Sequence, residues 1–327
     1  MTDPRVTVAM SVYNNAPTLA LAIDSILSQS FTDFEFLIVD DGSSDESGAI
    51  IDAYAARDAR VRPIHQANRG LIASLNRMVD EARAPLIARM DGDDISLPAR
   101  FERQVAFLDA NPDHGVVGTW TNSIDDAGVF RPDLDGHPTT HAAFLAALER
   151  GPVLCHPSVV MRRDVVQAVG GYHAAFRHCE DYDLWLRLAE RTKLCSLPER
   201  LILYRHSETQ VSNRHAVPQQ IGAAVAWLAH VERLAGRPDP SEHWDALPPV
   251  EQFDAIFGAG TARWVRARVA PGILYSPAAL RGEGYDLIRE HVAEGGARAG
   301  LWRTAARLLT LGEPVRAAGL AAALVRG

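Results

Sequence analysis

The chain has 327 residues, 47% of them hydrophobic, and a formal net charge of −8 at pH 7. That apolar share fills a globular core, that length suits one large domain with an appendage or two domains, and that charge disfavours nonspecific binding to nucleic acid. The three cysteines, Cys155, Cys179 and Cys195, show no C-x-x-C spacing, which argues against a disulfide framework and fits reduced thiols in a cytoplasmic protein. The opening MTDPRVTVAMSVYNN lacks a basic region followed by a long apolar stretch, so no secretory signal is expected. No window of about 18 uncharged apolar residues offers a membrane span, and a peripheral membrane association stays open.

In chain order, VTVAMSV at 6–12 reads as a buried strand, short, apolar and rich in β-branched residues. YNNAPT follows as a loop. TLALAIDSILSQS has helical apolar spacing, with Thr18 as its cap and Leu19, Ile23, Ile26 and Leu27 on one face. FEFLIVDD is a second strand, SGAIIDAYAARDA a helix, VRPIHQ a third strand, GLIASLNRMVDEAR a helix and PLIARM a fourth strand. This β-α-β-α-β-α-β order implies parallel strands with helices on both faces. In such sheets ligands bind beyond the carboxyl ends of the strands, where YNN, DDGSSD, NRG and DGDD fall. Further on, GVVGTWTNSI reads as a strand, TTHAAFLAALERG as a helix, and SVVMRRDVVQAVGGY as a strand entering a helix. EDYDLWLRLAERTK is a helix with Leu184, Trp185 and Leu188 inward, and LCSLPERLILYRH holds the last strand. After about residue 215 the pattern is helical, with the Pro-rich AGRPDPSEHWDALPPVE separating two pieces.

Three acidic groupings carry chemistry. Asp40 and Asp41 end the second strand. A carboxylate at that rim can accept from a nucleobase imide or a ribose hydroxyl, whereas Ser43, Ser44 and Asp45 suit a cap for the next helix. Asp91, Gly92, Asp93 and Asp94 end the fourth strand. Hard divalent cations take carboxylate oxygens and keep open positions for phosphates, and a D-x-D spacing at a strand end points Asp91 and Asp93 the same way. Asp94 has the weakest claim and is expected to shape the turn before Pro98. Glu180, Asp181 and Asp183 open a helix, where acids suit the helix dipole or can serve as a general base. His156, before a Pro, is a candidate acceptor or sugar contact. His206, after the last strand, can ligate a metal or contact a diphosphate.

Taken together, VSVYNN, FLIVDDGSSDES, NRGLIASLNRMVDEARAPLIARMDGDDISLPARFERQVAFL, GGY and EDYDLWLRL resemble the family 2 glycosyltransferases of the GT-A fold, from about residue 5 to 212. The resemblance implies a Rossmann-like, mainly parallel mixed α/β sheet in a catalytic domain over 1–215; the helical pattern over 216–327 is a C-terminal extension that the resemblance does not cover. It implies inverting transfer from a nucleotide-diphosphate sugar, UDP-linked by preference, with Mn²⁺ or Mg²⁺ as cofactor. Carried over by position, Tyr13 flanks the base, Asp41 binds it with Asp40 nearby, and Arg69 reaches base or diphosphate. Asp91 contacts the ribose, Asp93 is the principal metal ligand, Asp181 is the catalytic base and Glu180 contacts acceptor or sugar. In YRHSETQVS the His stands one place from the family's spacing, and His206 is carried as a second candidate ligand. The expected partners are a nucleotide-sugar donor and a saccharide or lipid-linked acceptor, not nucleic acid. For the Arg-rich tail (Arg298, Arg303, Arg307, Arg316 and Arg326 against Glu313) they are a membrane surface at the inner face or a second copy. Two alternatives stay open: a D-x-D phosphatase or phosphotransferase with Asp91 as nucleophile, and a nucleotide-sugar-binding protein without catalysis.

Overall fold

The computed structural model describes residues 3–133, 135–206 and 215–326. They fall into two compact units. One holds the residues up to His173 and those from Leu184 to the end of the last strand; the other holds Ala174–Asp183 and the described residues from His215 onward.

The first unit opens with the predicted alternation: β1 (Val6–Val12), α1 (Ala16–Leu27), β2 (Phe34–Asp40), α2 (Ser47–Ala55), β3 (Val61–His65), α3 (Leu71–Glu81) and β4 (Leu86–Asp91). β1 pairs in parallel with β2 and with β4, and β2 with β3. Helices cover both faces, which is why β1, β2 and β4 read as unbroken apolar runs and lie almost wholly buried. Leu19, Ile23 and Ile26 of α1 are fully buried against them, each burial contributing about 1.5–3 kcal/mol.

The chain continues through β5 (Ile95–Ser96), α4 (Arg100–Ala110), β6 (His114–Asp125), β7 (Phe130–Arg131), α5 (His141–Leu148), β8 (Val160–Arg162), α6 (Arg163–Ala168), α7 (Glu180–Ala189) and β9 (Lys193–His206). The sheet order is β3-β2-β1-β4-β8-β6-β9-β5, with β7 on β6. β8 is antiparallel to both neighbours, and β5 runs antiparallel to β9. β2 and β3 build outward from one side of β1, while β4 lies on its other side. The carboxyl ends of β1 and β4 therefore flank a switch point, where a crevice forms. Leu184, Trp185 and Leu188 of α7 are fully buried, as their spacing predicts.

The second unit is helical: α8 (Ala216–Leu234), α9 (Phe253–Phe257), α10 (Thr261–Ile273), α11 (Pro277–Arg281), α12 (Gly284–Ala293), α13 (Leu301–Thr310) and α14 (Pro314–Arg326). Val265, Ile273, Leu280, Ile288, Leu308 and Leu320 are fully buried within it. Arg266, also buried, meets Glu251, Glu290 and Glu294 at 3.2, 2.6 and 2.7 Å. α13 turns Leu301, Thr304, Ala305 and Leu308 inward. No described helix is long and apolar enough to cross a membrane.

Two local expectations are corrected. Thr18 does not cap α1: the helix begins at Ala16, and the Thr18 hydroxyl donates instead to the Gly92 carbonyl at 3.0 Å. Ser43 and Ser44 do not cap α2; they bond to the loop after β1. Asp45 serves two helices, its Oδ1 receiving the Ser47 amide of α2 at 3.0 Å and its Oδ2 the Ala16 amide of α1 at 3.1 Å.

Candidate active site

The loops after β1, β2 and β3 are bonded to one another. Asn14 sits at a φ of 55°, a left-handed conformation that Asn tolerates better than most residues. Its amide donates to Ser43 Oγ at 3.0 Å, and its Oδ1 accepts the Ser44 amide at 2.8 Å. Asp40 Oδ1 accepts the Ser43 amide at 3.0 Å, and its Oδ2 meets His65 Nδ1 at 3.1 Å. Burial opposes the Asp40 charge, but the bonds from Ser43 and His65 outweigh it and lower the pKa. Asp41 is more committed. Its Oδ1 accepts from Gln66 Nε2 at 2.7 Å and the Arg69 amide at 2.8 Å, and its Oδ2 accepts the Gly70 amide at 2.8 Å. Three of a carboxylate's roughly four acceptor sites are thus filled. Asp41 is buried under the 66–70 turn and holds it, at the position where the sequence places a base contact. Gly42 lies at a φ of 78°, and a Cβ there would meet the Asn68 nitrogen at 2.7 Å, so only glycine lets the two loops come this close. Tyr13 is 52% exposed at the end of β1, and Arg69 is exposed on its turn.

The loop after β4 is built differently. Asp91, Asp93 and Asp94 place one carboxylate oxygen each within 4.8 Å of one another, the one such group of metal-ligating residues among the described residues. Asp94 is 1% exposed. Its Oδ1 accepts the Arg205 amide at 2.8 Å, while its Oδ2 has no hydrogen-bond partner. Burial and the neighbouring carboxylates push Asp93 up to about 6 and Asp94 well above the usual carboxylate range. Asp94 therefore belongs to the acidic group as well as to the turn before Pro98. The loop is pinned from the far side of the sheet, because Arg205 Nε donates to the Asp93 carbonyl at 2.8 Å and Nη1 to the Asp125 carbonyl at 2.8 Å. Arg89 of β4 ion-pairs with Asp91 from beneath.

His206 stands apart from this trio. Its Nε2 meets Ser123 Oγ at 2.9 Å, and the acidic group forms without it. Residues 207–214, which include the remainder of YRHSETQVS, lie outside the described residues. His156 is buried, bonded to the Tyr172 hydroxyl at 2.9 Å and packed edge-on against Trp185. Burial, then the nearby Arg89 charge, hold its pKa well below the ordinary value, so it stays neutral. Glu180, Asp181 and Asp183 occupy the first turn of α7 in the second unit, with Glu180 and Asp183 buried and Asp181 half-buried. Sequence reasoning missed Arg89, Gln66 and the anchoring by Arg205. The available signal for Arg89 was a charge inside an apolar strand, two residues before Asp91 and so on its face of the sheet.

The family model described as Glycosyl transferase family 2 matches residues 7–170, the span that contains both acidic loops. The chain belongs to this family. Among relatives of this family 2 glycosyltransferase, EpsE of Bacillus subtilis is 39% identical over 191 residues, covering 57% of this chain and 67% of EpsE. The O-antigen biosynthesis glycosyltransferase WbnJ of Escherichia coli is 34% identical over 205 residues, covering 61% and 79%. Among solved structures, the mannosyltransferase PcManGT from Pyrobaculum calidifontis, in complex with GDP-Man and Mn²⁺, aligns with a TM-score of 0.52 at 19% identity, covering 100% of this chain and 87% of that one. The fold of this family 2 glycosyltransferase is the GT-A type, as the resemblance implies: a mixed sheet flanked by helices, followed by C-terminal helices.

Proposed function

We propose that this glycosyltransferase moves a sugar from a nucleotide-diphosphate sugar to an acceptor hydroxyl, with inversion, in the synthesis of a cell-surface polysaccharide or glycoconjugate. The observation that carries the reading is the trio Asp91, Asp93 and Asp94 at the switch point, with the buried Asp94 Oδ2 atom lacking a hydrogen-bond partner. A divalent cation fits that donor set, since Mn²⁺ and Mg²⁺ prefer hard carboxylate oxygens and a cation removes the like-charge penalty. Asp93 and Asp94 would hold it, and when bound it offsets charge on the leaving diphosphate. The relative PcManGT, with Mn²⁺ and GDP-Man in its structure, supports that choice, and WbnJ's role in O-antigen biosynthesis supports the product class.

The chain's own residues do the rest. Tyr13 flanks the base, and Asp41 binds it, with Asp40 nearby, while holding the turn from which Arg69 reaches base or diphosphate. Asp91 contacts the ribose. An Asp181 carboxylate oxygen takes the proton of the acceptor hydroxyl as its oxygen bonds to the anomeric carbon and the bond to the diphosphate breaks. Glu180 contacts acceptor or sugar, and His156, neutral and bonded to the Tyr172 hydroxyl, is a further acceptor or sugar contact. Asp181→Asn is expected to bind donor normally but lose transfer by about 10²–10⁴-fold; wild-type turnover would remove Asp181 from the role. The donor is found by thermal shift with UDP- and GDP-sugars, with and without Mn²⁺. A melting point raised only when sugar nucleotide and metal are both present supports the reading. No shift with any sugar nucleotide, together with phosphate release from simple phosphoesters, would favour the phosphatase alternative.

The outward face of α13 supports a membrane-linked acceptor. Trp302 is 56% and Leu309 59% exposed, beside the exposed Arg303 and Arg307. Aromatic, apolar and cationic groups on one face suit the headgroup region of an anionic bilayer. Co-sedimentation with anionic but not zwitterionic vesicles, lost in R303E/R307E, is expected; equal binding to both would sink the idea.

A further inference from the structure

Arg89 is a charged residue inside the buried stretch Leu86–Met90, and it is 4% exposed. Its Nη1 ion-pairs with Asp91 Oδ2 without the alignment of a hydrogen bond, and its Nε has no hydrogen-bond partner. Burying an arginine so incompletely bonded is costly, so its contact with Asp91 needs a reason beyond stability. Two other arginines approach the same loop. Arg100, fully buried, donates to the carbonyls of Arg89 and Val159 at 2.8 and 3.2 Å. Arg205 donates from its side chain to the carbonyls of Asp93, Asp125 and Asp126. Of the three, Arg89 is the one set against the carboxylate of Asp91.

Geometry alone does not exclude Asp91 from a metal. Its oxygen lies within the same 4.8 Å group as those of Asp93 and Asp94, and a cation site tightens as its count of charged ligands rises. We infer that Arg89 divides the labour within the trio. By engaging one oxygen of Asp91 it withholds that carboxylate from the cation, leaves Asp93 and Asp94 as the anionic ligands, and keeps Asp91 free to meet the donor. Arg89 is a positioning residue that sets the charge and ligand count of the metal site. The inference rests on the metal reading above.

It predicts an effect opposite in sign to that of a structural prop. Mn²⁺ binding to the full-length chain is measured by electron paramagnetic resonance of the free ion, with no donor present. Arg89→Met, which removes a nearby positive charge and releases Asp91, is expected to bind Mn²⁺ about tenfold more tightly or better. Arg89→Lys should match wild type. The double variant R89M/D91N, neutral at both positions, should also return to wild-type affinity. Arg89→Met binding equal to or weaker than wild type overturns the inference. If that variant fails to fold, the double variant decides: Mn²⁺ binding tenfold weaker than wild type would make Asp91 a ligand and overturn it. Asp93→Ala separates the two levels. If wild type shows no saturable Mn²⁺ site, or one that Asp93→Ala leaves untouched, the metal reading itself falls and takes this inference with it.

Discussion

At the end of β2, Asp40 and Asp41 are met by donors on every side: the Ser43, Arg69 and Gly70 amides, Gln66 and His65. At the end of β4, Asp91, Asp93 and Asp94 crowd one another, and a buried Asp94 oxygen goes without a partner. Both groups are carboxylates on the same rim of one sheet. The donors lower the pKa of Asp40, while burial, then mutual repulsion, raise those of Asp93 and Asp94. A carboxylate met by donors of its own chain holds its loop in place. A carboxylate left short of partners is held ready for something the chain does not supply.

The sharpest way to break this comparison is to remove one acid from each group. Asp93→Ala is expected to abolish Mn²⁺-dependent donor binding and lower transfer by about 10²-fold or more. It should leave the metal-free melting temperature unchanged or higher, because one like charge leaves the cluster. Calorimetric titration with donor and Mn²⁺ checks the first outcome, and unchanged affinity would refute the ligand assignment. Asp41→Ala should do the reverse. It strands the Arg69 and Gly70 amides and Gln66, at a cost of about 2–4 kcal/mol in stability read from urea unfolding. A stable Asp41→Ala protein that had lost only donor affinity would show Asp41 to bind the base without holding the turn.

The smallest expected effect concerns His65, raised in pKa by Asp52 first and Asp40 second. A raised folded-state pKa means the His65 contribution is fully present below the unfolded value of about 6.5 and is lost as pH rises through the folded value. His65 is 45% exposed, so solvent screening holds the effect to a fraction of a kcal/mol. His65→Gln should flatten the fall in melting temperature between about pH 6 and 8 by that small amount; identical pH profiles for the two proteins would show the contact to be idle.

Much of the fold was legible because parallel strands buried on both faces leave continuous apolar runs and their helices a clear period. Residues 6–91 yielded seven elements in order, with ends displaced by a few residues. The position of the acidic loops was legible too, since topology carries strand ends to one rim. Which carboxylates were occupied was not. The partners of Asp41 lie 25 to 29 residues away and include two backbone amides, which leave no trace in residue identity. The same holds for Arg205, which reaches the Asp93 carbonyl across 112 residues through a strand pairing that no local pattern announces. Thr18 was misassigned for a related reason: its spacing suits a cap, but the nearby Gly92 carbonyl claims its hydroxyl.

The turn at residues 66–70 is held from below by Asp41, while the side chains of Asn68 and Arg69 face outward. Its path is therefore set by one buried residue and its chemistry by two exposed ones. If Arg69 meets the donor as proposed, substitutions at 68 and 69 redraw what the turn recognises without moving its backbone. Donor preference could then drift on an inherited frame, and libraries built at those two positions would explore it with little risk to folding.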